Sequence, residues 1–427
     1  MANKKKTPEP TSQPKPKRNI SIRPHLLSWA VFIPTVAVVF ISLIATVFPA
    51  LITRTTSPFQ DQIFAPNIIN PFQPGVMATP FILVNLLVLV AGIAYYKRSK
   101  GAEQLKKIAN FELTKKQTLI GVIIILAIFC SIAAQTLGEA ETWADYGPVK
   151  QRVQSWDISQ FGKSFEPHFR YLLLSLSQHA FGNMRVIPFV ISVILLVQVY
   201  FFTSDITGKR FPGIVAMALV LQSYVFIGFS TAATYDNTWI LMYVFSLYLV
   251  LKFWPPSPVP YFLSFFSKPL TLAFLPMTLY FIARSTLPKK TRLYSLATYG
   301  VIIVMIAAAA VAYQTTFTGS AIAFDGPEFW QGFTAAAMQM RFDYIVMLFL
   351  LPLTVLLFFA SRRGVLHADS ILIFIFFVLI AAPLLTGLTQ QTNEPYRWVS
   401  LSVFFAIGVG VLLSSRTRKP VELSSNM

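Results

Sequence analysis

The stretch Leu137–Arg185 reads LGEAETWADYGPVKQRVQSWDISQFGKSFEPHFRYLLLSLSQHAFGNMR. It holds five acidic and five basic residues and two of the four histidines, although only 12% of the whole chain is charged. Apolar runs long enough to cross a bilayer lie on both sides of it. The pattern predicts a polar loop between two membrane-spanning helices, and its clustered charges favour a functional site at the membrane surface.

The composition indicates a polytopic membrane protein. Hydrophobic residues make up 55% of the 427 residues, and the mean hydropathy is +0.61, which excludes a set of soluble domains. The first apolar run, 26–52, is too long for the core of a signal peptide and is predicted to stay as an anchor. Cys130 is the single cysteine, so neither a disulfide nor a thiol-ligated metal is expected.

Twelve apolar segments are predicted to span the membrane, and the protein is therefore expected to be all-α. The seventh and eighth are short and meet at Lys268, so we expect a broken pair of half-helices that turns there, or a re-entrant pair. The segments are 27–52, 78–97, 118–137, 185–202, 211–229, 237–254, 259–267, 269–284, 294–315, 344–360, 369–388 and 398–414.

The charge distribution predicts the orientation. With both termini in the cytoplasm, the cytoplasmic segments hold 26 Lys/Arg and 6 Asp/Glu, whereas the outer segments hold 8 and 11. This asymmetry follows the positive-inside rule and places the protein in the plasma membrane as a multi-pass protein. The net charge of +18 is thereby explained by topology and anionic lipids, and no nucleic-acid partner is expected.

The outer loops concentrate acids and a few cations. An outer carboxylate suits the acceptance of a proton, and Lys268 and Arg397 suit the binding of a phosphate. Glu141 and Asp145 are four residues apart, so they share one face if the third helix continues past Leu137.

The order and spacing of several motifs between residues 118 and 414 resemble those of the C-type membrane glycosyltransferases. This family includes the protein O-mannosyltransferases and the lipid-A aminoarabinose transferases. The motifs are Asp145-Tyr146, Pro167-His168-Phe169-Arg170-Tyr171, Phe181-Gly182-Asn183-Met184-Arg185, Tyr235-Asp236, Ser267-Lys268-Pro269 and Tyr396-Arg397.

The resemblance implies a hexosyltransferase that moves a sugar from a polyprenyl- or dolichyl-phosphate donor to a protein, lipid or glycan acceptor at the outer membrane face. The part that resembles the family is a transmembrane module (118–414) with outer loops 138–184 and 316–343. Composition and hydropathy place before it a disordered basic cytoplasmic tail (1–25) and an N-terminal transmembrane hairpin with a basic cytoplasmic loop (26–117), which the family does not share, and after it a cytoplasmic tail (415–427). No cofactor is required, although a divalent metal such as Mg²⁺ or Mn²⁺ stays open. The implied site residues are Asp145, Glu141 and Glu166 as catalytic acids, Lys268, Arg397 and Arg170 at the donor phosphate, and His168, Tyr146, Asp236 and Tyr396 as acceptor or loop contacts.

Other interpretations stay open. The family's Asp-Glu pair is absent, so a catalytically inactive scaffold with the same fold is one alternative, and a multi-pass transporter is another. Lys268 also suits a lysine that reaches water from a half-helix end, and Arg397 also suits an ion pair with Glu394. Asp236 also suits the cap of the helix that follows it.

Overall fold

The computed structural model describes residues 23–51, 72–96, 107–108, 110–143, 145–160, 167–317, 324–340, 343–389, 395–414 and 416. Within these ranges the protein is all-helical, with no β-strand. Five helices are long and apolar enough to cross a membrane, as expected of an α-helical membrane protein: Leu26–Val47, Lys115–Thr136, Val186–Thr207, Tyr344–Arg362 and Ala368–Leu388. Most of both predicted tails, and Glu166, lie outside the described residues.

Sixteen α-helices and four short 3₁₀ segments are present in the described ranges. The α-helices are α1 Arg23–Val47, α2 Ala78–Tyr96, α3 Lys115–Thr136, α4 Tyr146–Ser155, α5 His168–Phe181, α6 Val186–Thr207, α7 Arg210–Leu221, α8 Tyr224–Phe229, α9 Thr238–Lys252, α10 Pro258–Ser267, α11 Leu275–Arg284, α12 Lys289–Phe317, α13 Gly326–Met340, α14 Tyr344–Arg362, α15 Ala368–Thr389 and α16 Val399–Leu412. The 3₁₀ segments are Pro49–Leu51, Ile158–Gln160, Pro269–Phe274 and Pro395–Trp398.

The helix ends carry the expected stop and start signals. Thr114 and Gln117 form a reciprocal capping box at the start of α3. Helices α5 and α6 end at Gly182 and Gly208, whose φ angles of 67° and 77° are left-handed and cost little without a Cβ atom. The second of these glycines turns the chain directly into α7.

Helix α16 forms the centre of the bundle. Nearly all of its residues are buried, and it packs against α6, α7, α14 and α15. A helix that is apolar on every side is buried by protein on every side. Because the 3₁₀ segment Pro395–Trp398 leads directly into α16, Tyr396 and Arg397 are attached to the most enclosed element of the fold.

The predicted break at Lys268 is confirmed. Helix α10 ends at Ser267, Lys268 is extended (φ −153°, ψ 112°), and a 3₁₀ segment precedes α11. The Tyr261 hydroxyl donates to the Thr271 carbonyl at 3.0 Å, which ties the two limbs together beside the turn.

Three expectations need correction. The segment 211–229 is two helices, because Ser223 is extended and its hydroxyl caps a new helix at Phe226. Helix α3 ends at Thr136, so Glu141 and Asp145 do not share a helical face. The segment 316–343, predicted to be an outer loop, contains a fifteen-residue helix, α13.

The N-terminal helix packs against the C-terminal part of the chain. Helix α1 contacts α13, α14 and α15, and α2 packs more extensively on α14 than on α1. The contact face of α1 carries small polar side chains at near-heptad spacing, all buried: Ser28, Thr35, Ser42 and Thr46. The Ser28 and Ser361 hydroxyls lie 2.9 Å apart. Helices α1 and α2 therefore pack more on the C-terminal helices than on each other.

Candidate functional site at the Lys268 turn

The Lys268 ammonium is buried at the turn between α10 and the following 3₁₀ segment. Its Nζ atom is inaccessible and makes no hydrogen bond of ordinary geometry to any described residue. It lies 3.6 Å from the centroid of the Tyr396 ring and 5.7 Å from that of Trp239. Cation–π contacts offset part of the cost of removing an ammonium from water, but they supply no hydrogen-bond acceptor. The group is therefore a candidate for binding an anion, which would reach it only where the aromatic cover opens.

Two stacked tyrosines connect this lysine to Asp145. The Tyr396 and Tyr235 rings are 4.2 Å apart and nearly parallel, with an interplanar angle of 9°. The Tyr235 hydroxyl donates to Asp145 Oδ2 at 2.7 Å. We call Asp145, Tyr235, Tyr396 and Lys268 the tyrosine bridge, because they join an exposed carboxylate to a buried ammonium through continuous contacts.

Arg397 brings a second cation to the same place. Only 5% of the residue is exposed, and its guanidinium carbon lies 6.0 Å from the centroid of the Tyr396 ring. Lys268 and Arg397 therefore border the same tyrosine from two different elements. The structure connects four of the predicted site residues through contacts with the two tyrosine rings: Asp145, Lys268, Tyr396 and Arg397.

Glu141 and Arg170 both form hydrogen bonds to the backbone of the loop that carries Tyr235. The Glu141 carboxylate accepts the backbone N–H groups of Ala233 and Thr234 at 2.9 and 2.8 Å. Arg170 donates to the carbonyl oxygens of the same two residues and forms an ion pair with Asp236 at 2.7 Å. Two consecutive peptide units are thus bound on both sides, which fixes the segment immediately before Tyr235.

The other predicted residues lie around this core. His168 is buried, and its Nδ1 accepts the indole N–H of Trp156 at 3.3 Å. Tyr146 packs in a small apolar cluster with Val153 and Leu174. Glu166 lies outside the described residues, so its place in the site stays a prediction.

An open cavity of about 680 Å³ adjoins the bridge at Asp145. Helix α4 and Tyr171 form its wall, and its polar lining includes Gln151 and Arg152. Asp145 belongs to both the cavity and the tyrosine bridge. A molecule in the cavity therefore has direct access to the carboxylate.

No group of three or more potential His, Cys, Asp or Glu ligands forms a metal-binding cluster within the described residues.

No family model matches the chain, and no curated protein or solved structure matches it either. The geometry of the site and the order of the sequence motifs are therefore the features that bear on function.

The buried carboxylate of Asp343 lies near the site and was not predicted from the sequence as a site residue. Asp343 Oδ2 accepts hydrogen bonds from the hydroxyls of Ser223 and Ser402, and these hydroxyls lie 3.0 Å apart. Burial raises the pKa of Asp343, while the two serine hydrogen bonds oppose that rise. Its sequence signal is weak, since it is one acid at a loop end and its partners are far away in the chain.

Tyr235 was noted in the sequence only as part of a loop motif. Its importance comes from the stack with Tyr396, 161 positions further along the chain. Neither hydropathy nor helical periodicity predicts contacts between aromatic rings in two separate loops. A tyrosine beside an acid at the start of an apolar helix is the one local signal available.

Proposed function

We propose that the protein is a membrane glycosyltransferase that transfers a sugar from a polyprenyl-phosphate or dolichyl-phosphate donor at the outer face of the membrane. The proposal includes the twelve predicted spans, a fold of the C-type glycosyltransferases and cytoplasmic termini. The observation that carries it is the tyrosine bridge, which joins an accessible carboxylate to a buried ammonium that makes no hydrogen bond of ordinary geometry to the described residues. A phosphate donor and a hydroxyl acceptor need these two groups.

The proposed reaction is a direct displacement at the anomeric carbon. The acceptor oxygen forms the new bond to carbon, and its proton passes to the Asp145 carboxylate. The bond between that carbon and the phosphate oxygen breaks, and its electron pair leaves with the lipid phosphate. Lys268 and Arg397 stabilise the charge that develops on this phosphate. One displacement without a covalent intermediate inverts the configuration at the anomeric carbon.

The geometry favours Asp145 over Glu141 as the base. Both Glu141 oxygens accept backbone N–H groups, whereas Asp145 is exposed beside the cavity. Protonation of Glu141 would disturb the loop that carries Tyr235. Arg170 is likewise engaged with this loop, which leaves Lys268 and Arg397 as the donor-phosphate pair in the proposal.

The test compares Asp145→Asn and Lys268→Met in purified protein reconstituted into liposomes. Transfer is measured with a set of polyprenyl-phosphate hexoses, and binding is measured with polyprenyl phosphate alone. Asp145→Asn should lower transfer roughly 100-fold to 10,000-fold and leave phosphate binding nearly unchanged. Lys268→Met should weaken phosphate binding roughly tenfold or more, because it removes a charge-assisted contact.

Glu139→Gln is the matched control, because it also neutralises an exposed acid of this loop and should keep full transfer activity. Equal transfer by wild type and Asp145→Asn would overturn the assignment of the base. If the wild type transfers none of the sugars, yet binds polyprenyl phosphate in a Lys268-dependent way, the scaffold interpretation replaces the enzyme. If Lys268→Met leaves polyprenyl phosphate binding unchanged, the proposed donor-phosphate site at Lys268 is wrong.

A further inference from the structure

Three segments that are distant in sequence meet at the buried Asp343 carboxylate. Ser223 precedes α8, Asp343 precedes α14, and Ser402 lies in the first turn of α16. Their exposed fractions are 2%, 5% and 3%. We call these three residues the Asp343 triad.

Two of these segments lead directly to the tyrosine bridge. Helix α8 follows Ser223, runs from Tyr224 to Phe229 and continues into the loop with Tyr235. Tyr396 lies in the 3₁₀ segment from which α16 starts, six residues before Ser402. The Phe229 ring also contacts both tyrosines, with centroid distances of 6.0 and 6.1 Å. The triad therefore joins the two chain segments whose tyrosines must stack.

Each hydroxyl of the triad has a second role at its own helix. The Ser223 oxygen accepts the Phe226 N–H at 3.2 Å and so caps α8, while the Ser402 hydroxyl lies 3.5 Å from the Trp398 carbonyl. Removing the carboxylate would leave two buried hydroxyls with poorer partners and would free the two helix starts to shift relative to each other.

We infer that Asp343 is a positioning residue that holds Tyr235 and Tyr396 in their stack and thereby keeps the Lys268 ammonium covered. Its carboxylate acts through Ser223 and Ser402 and does not itself meet the donor or the acceptor. This inference depends on the proposed function only for the claim that Lys268 binds the donor phosphate.

The test measures how well the tyrosine bridge covers Lys268. Intact protein in detergent is treated with a water-soluble amine-reactive ester, and modification of Lys268 is quantified by peptide mass spectrometry. In the wild type the buried Nζ should react slowly. Asp343→Ala, Ser223→Ala and Ser402→Ala should each raise the rate of Lys268 modification roughly fivefold to tenfold, because the stack opens more often.

The matched control is Thr354→Val. Thr354 is a buried hydroxyl in α14 that donates to Leu350 of its own helix, so its removal leaves the triad intact. Labelling of Lys268 should stay at the wild-type rate in this variant. The exposed Lys290 serves as an internal standard for reagent activity in every sample.

The outcomes separate this inference from the proposed function. Wild-type labelling of Lys268 in folded Asp343→Ala would overturn the inference, even in an enzyme with full transfer activity. If Asp343→Ala does not fold, Ser223→Ala and Ser402→Ala test the inference instead. If both serine variants label at the wild-type rate, or if both fail to fold, the triad serves folding only and the inference is wrong. Labelling needs no substrate, so a protein that transfers no sugar can still confirm the inference.

Discussion

The two ends of the helix pair 258–284 treat a buried cation in different ways. At the far end, Arg284 forms an ion pair with the buried Asp369, which also accepts the Tyr280 hydroxyl at 3.1 Å. At the turn, Lys268 lies against the ring of Tyr396. A cation with a carboxylate partner holds two helices together, whereas a cation held against an aromatic ring is stabilised less and attracts an external anion. Within one short segment the comparison separates a cation paired with a carboxylate from the cation that we propose to bind the donor phosphate.

The largest effect should come from breaking the structural pair. Arg284→Met leaves Asp369 buried without its cation and should lower the free energy of unfolding by about 3 kcal/mol. Lys268→Met should cause no such loss, because it removes a buried charge that has no carboxylate partner among the described residues. Unfolding in detergent, followed by tryptophan fluorescence, measures both variants.

Lys290→Met is the surface control for this pair, since Lys290 is exposed and should change stability little. Equal destabilisation by Lys268→Met and Arg284→Met would mean that both cations are structural, and the distinction between the two ends would be wrong.

A second prediction distinguishes Glu141 from Asp145 in the same way, by the effect of each on stability. Glu141→Gln keeps one carbonyl oxygen for the backbone N–H groups of 233 and 234 but loses the other, which should cost about 1 kcal/mol of stability. Asp145→Asn should leave stability within roughly 0.5 kcal/mol of the wild type, since this side chain is exposed and Asn can still accept from Tyr235. Thermal unfolding of both variants, with Glu139→Gln as the control, measures which substitution costs more stability. A larger loss of stability in Asp145→Asn than in Glu141→Gln would mean that Asp145 is the structural acid of the two.

Asp343 offers the converse case, a buried carboxylate held by hydroxyls. Because burial raises its pKa in the folded protein, its ionisation opposes folding, and stability is lost as the pH rises through that pKa. Asn at this position stays neutral, so the melting temperature of Asp343→Asn relative to the wild type should increase as the pH rises from about 4, the usual pKa of an Asp, through the raised pKa of Asp343 in the folded protein. Melting temperatures of both proteins across this pH range measure the difference between them. A difference that does not change with pH would contradict the prediction.

The smallest expected disturbance comes from a test of orientation. Single cysteines at Ser159 and Ser320, in a Cys130→Ser background, should both react with an impermeant maleimide from outside the cell and leave stability unchanged. Ser159 is exposed, and Ser320 lies outside the described residues. Reaction at only one position would place the loops 138–184 and 316–343 on opposite sides and would overturn the predicted number of spans between them.

The sequence predicts most helices because hydropathy reports burial in lipid or protein directly. The limits of α2, α9 and α15 differ from the predicted segments by one or two residues. Helix α13 was missed because its Asp325 and Glu328 resemble a loop, although they lie at its first turn, where acids are favourable. The split after α7 was missed because Ser223 is an ordinary polar residue until its hydroxyl caps a helix.

The candidate site was predictable only in part. A lysine between apolar residues is conspicuous in a sequence, and its position at a helix break followed from the two short segments. Contacts over long sequence separations were not predictable. Examples are the stack of Tyr235 on Tyr396 and the hydrogen bonds from the backbone of residues 233 and 234 to Glu141. Distances of this kind depend on tertiary packing, which local patterns do not encode.

The polar stripe on α1 bears on the order in which the protein is assembled. Helix α1 is synthesised well before the helices that bury Ser28, Thr35, Ser42 and Thr46, which lie in the C-terminal part of the chain. At ordinary translation rates this interval is on the order of half a minute, during which these hydroxyls must face lipid or a temporary partner.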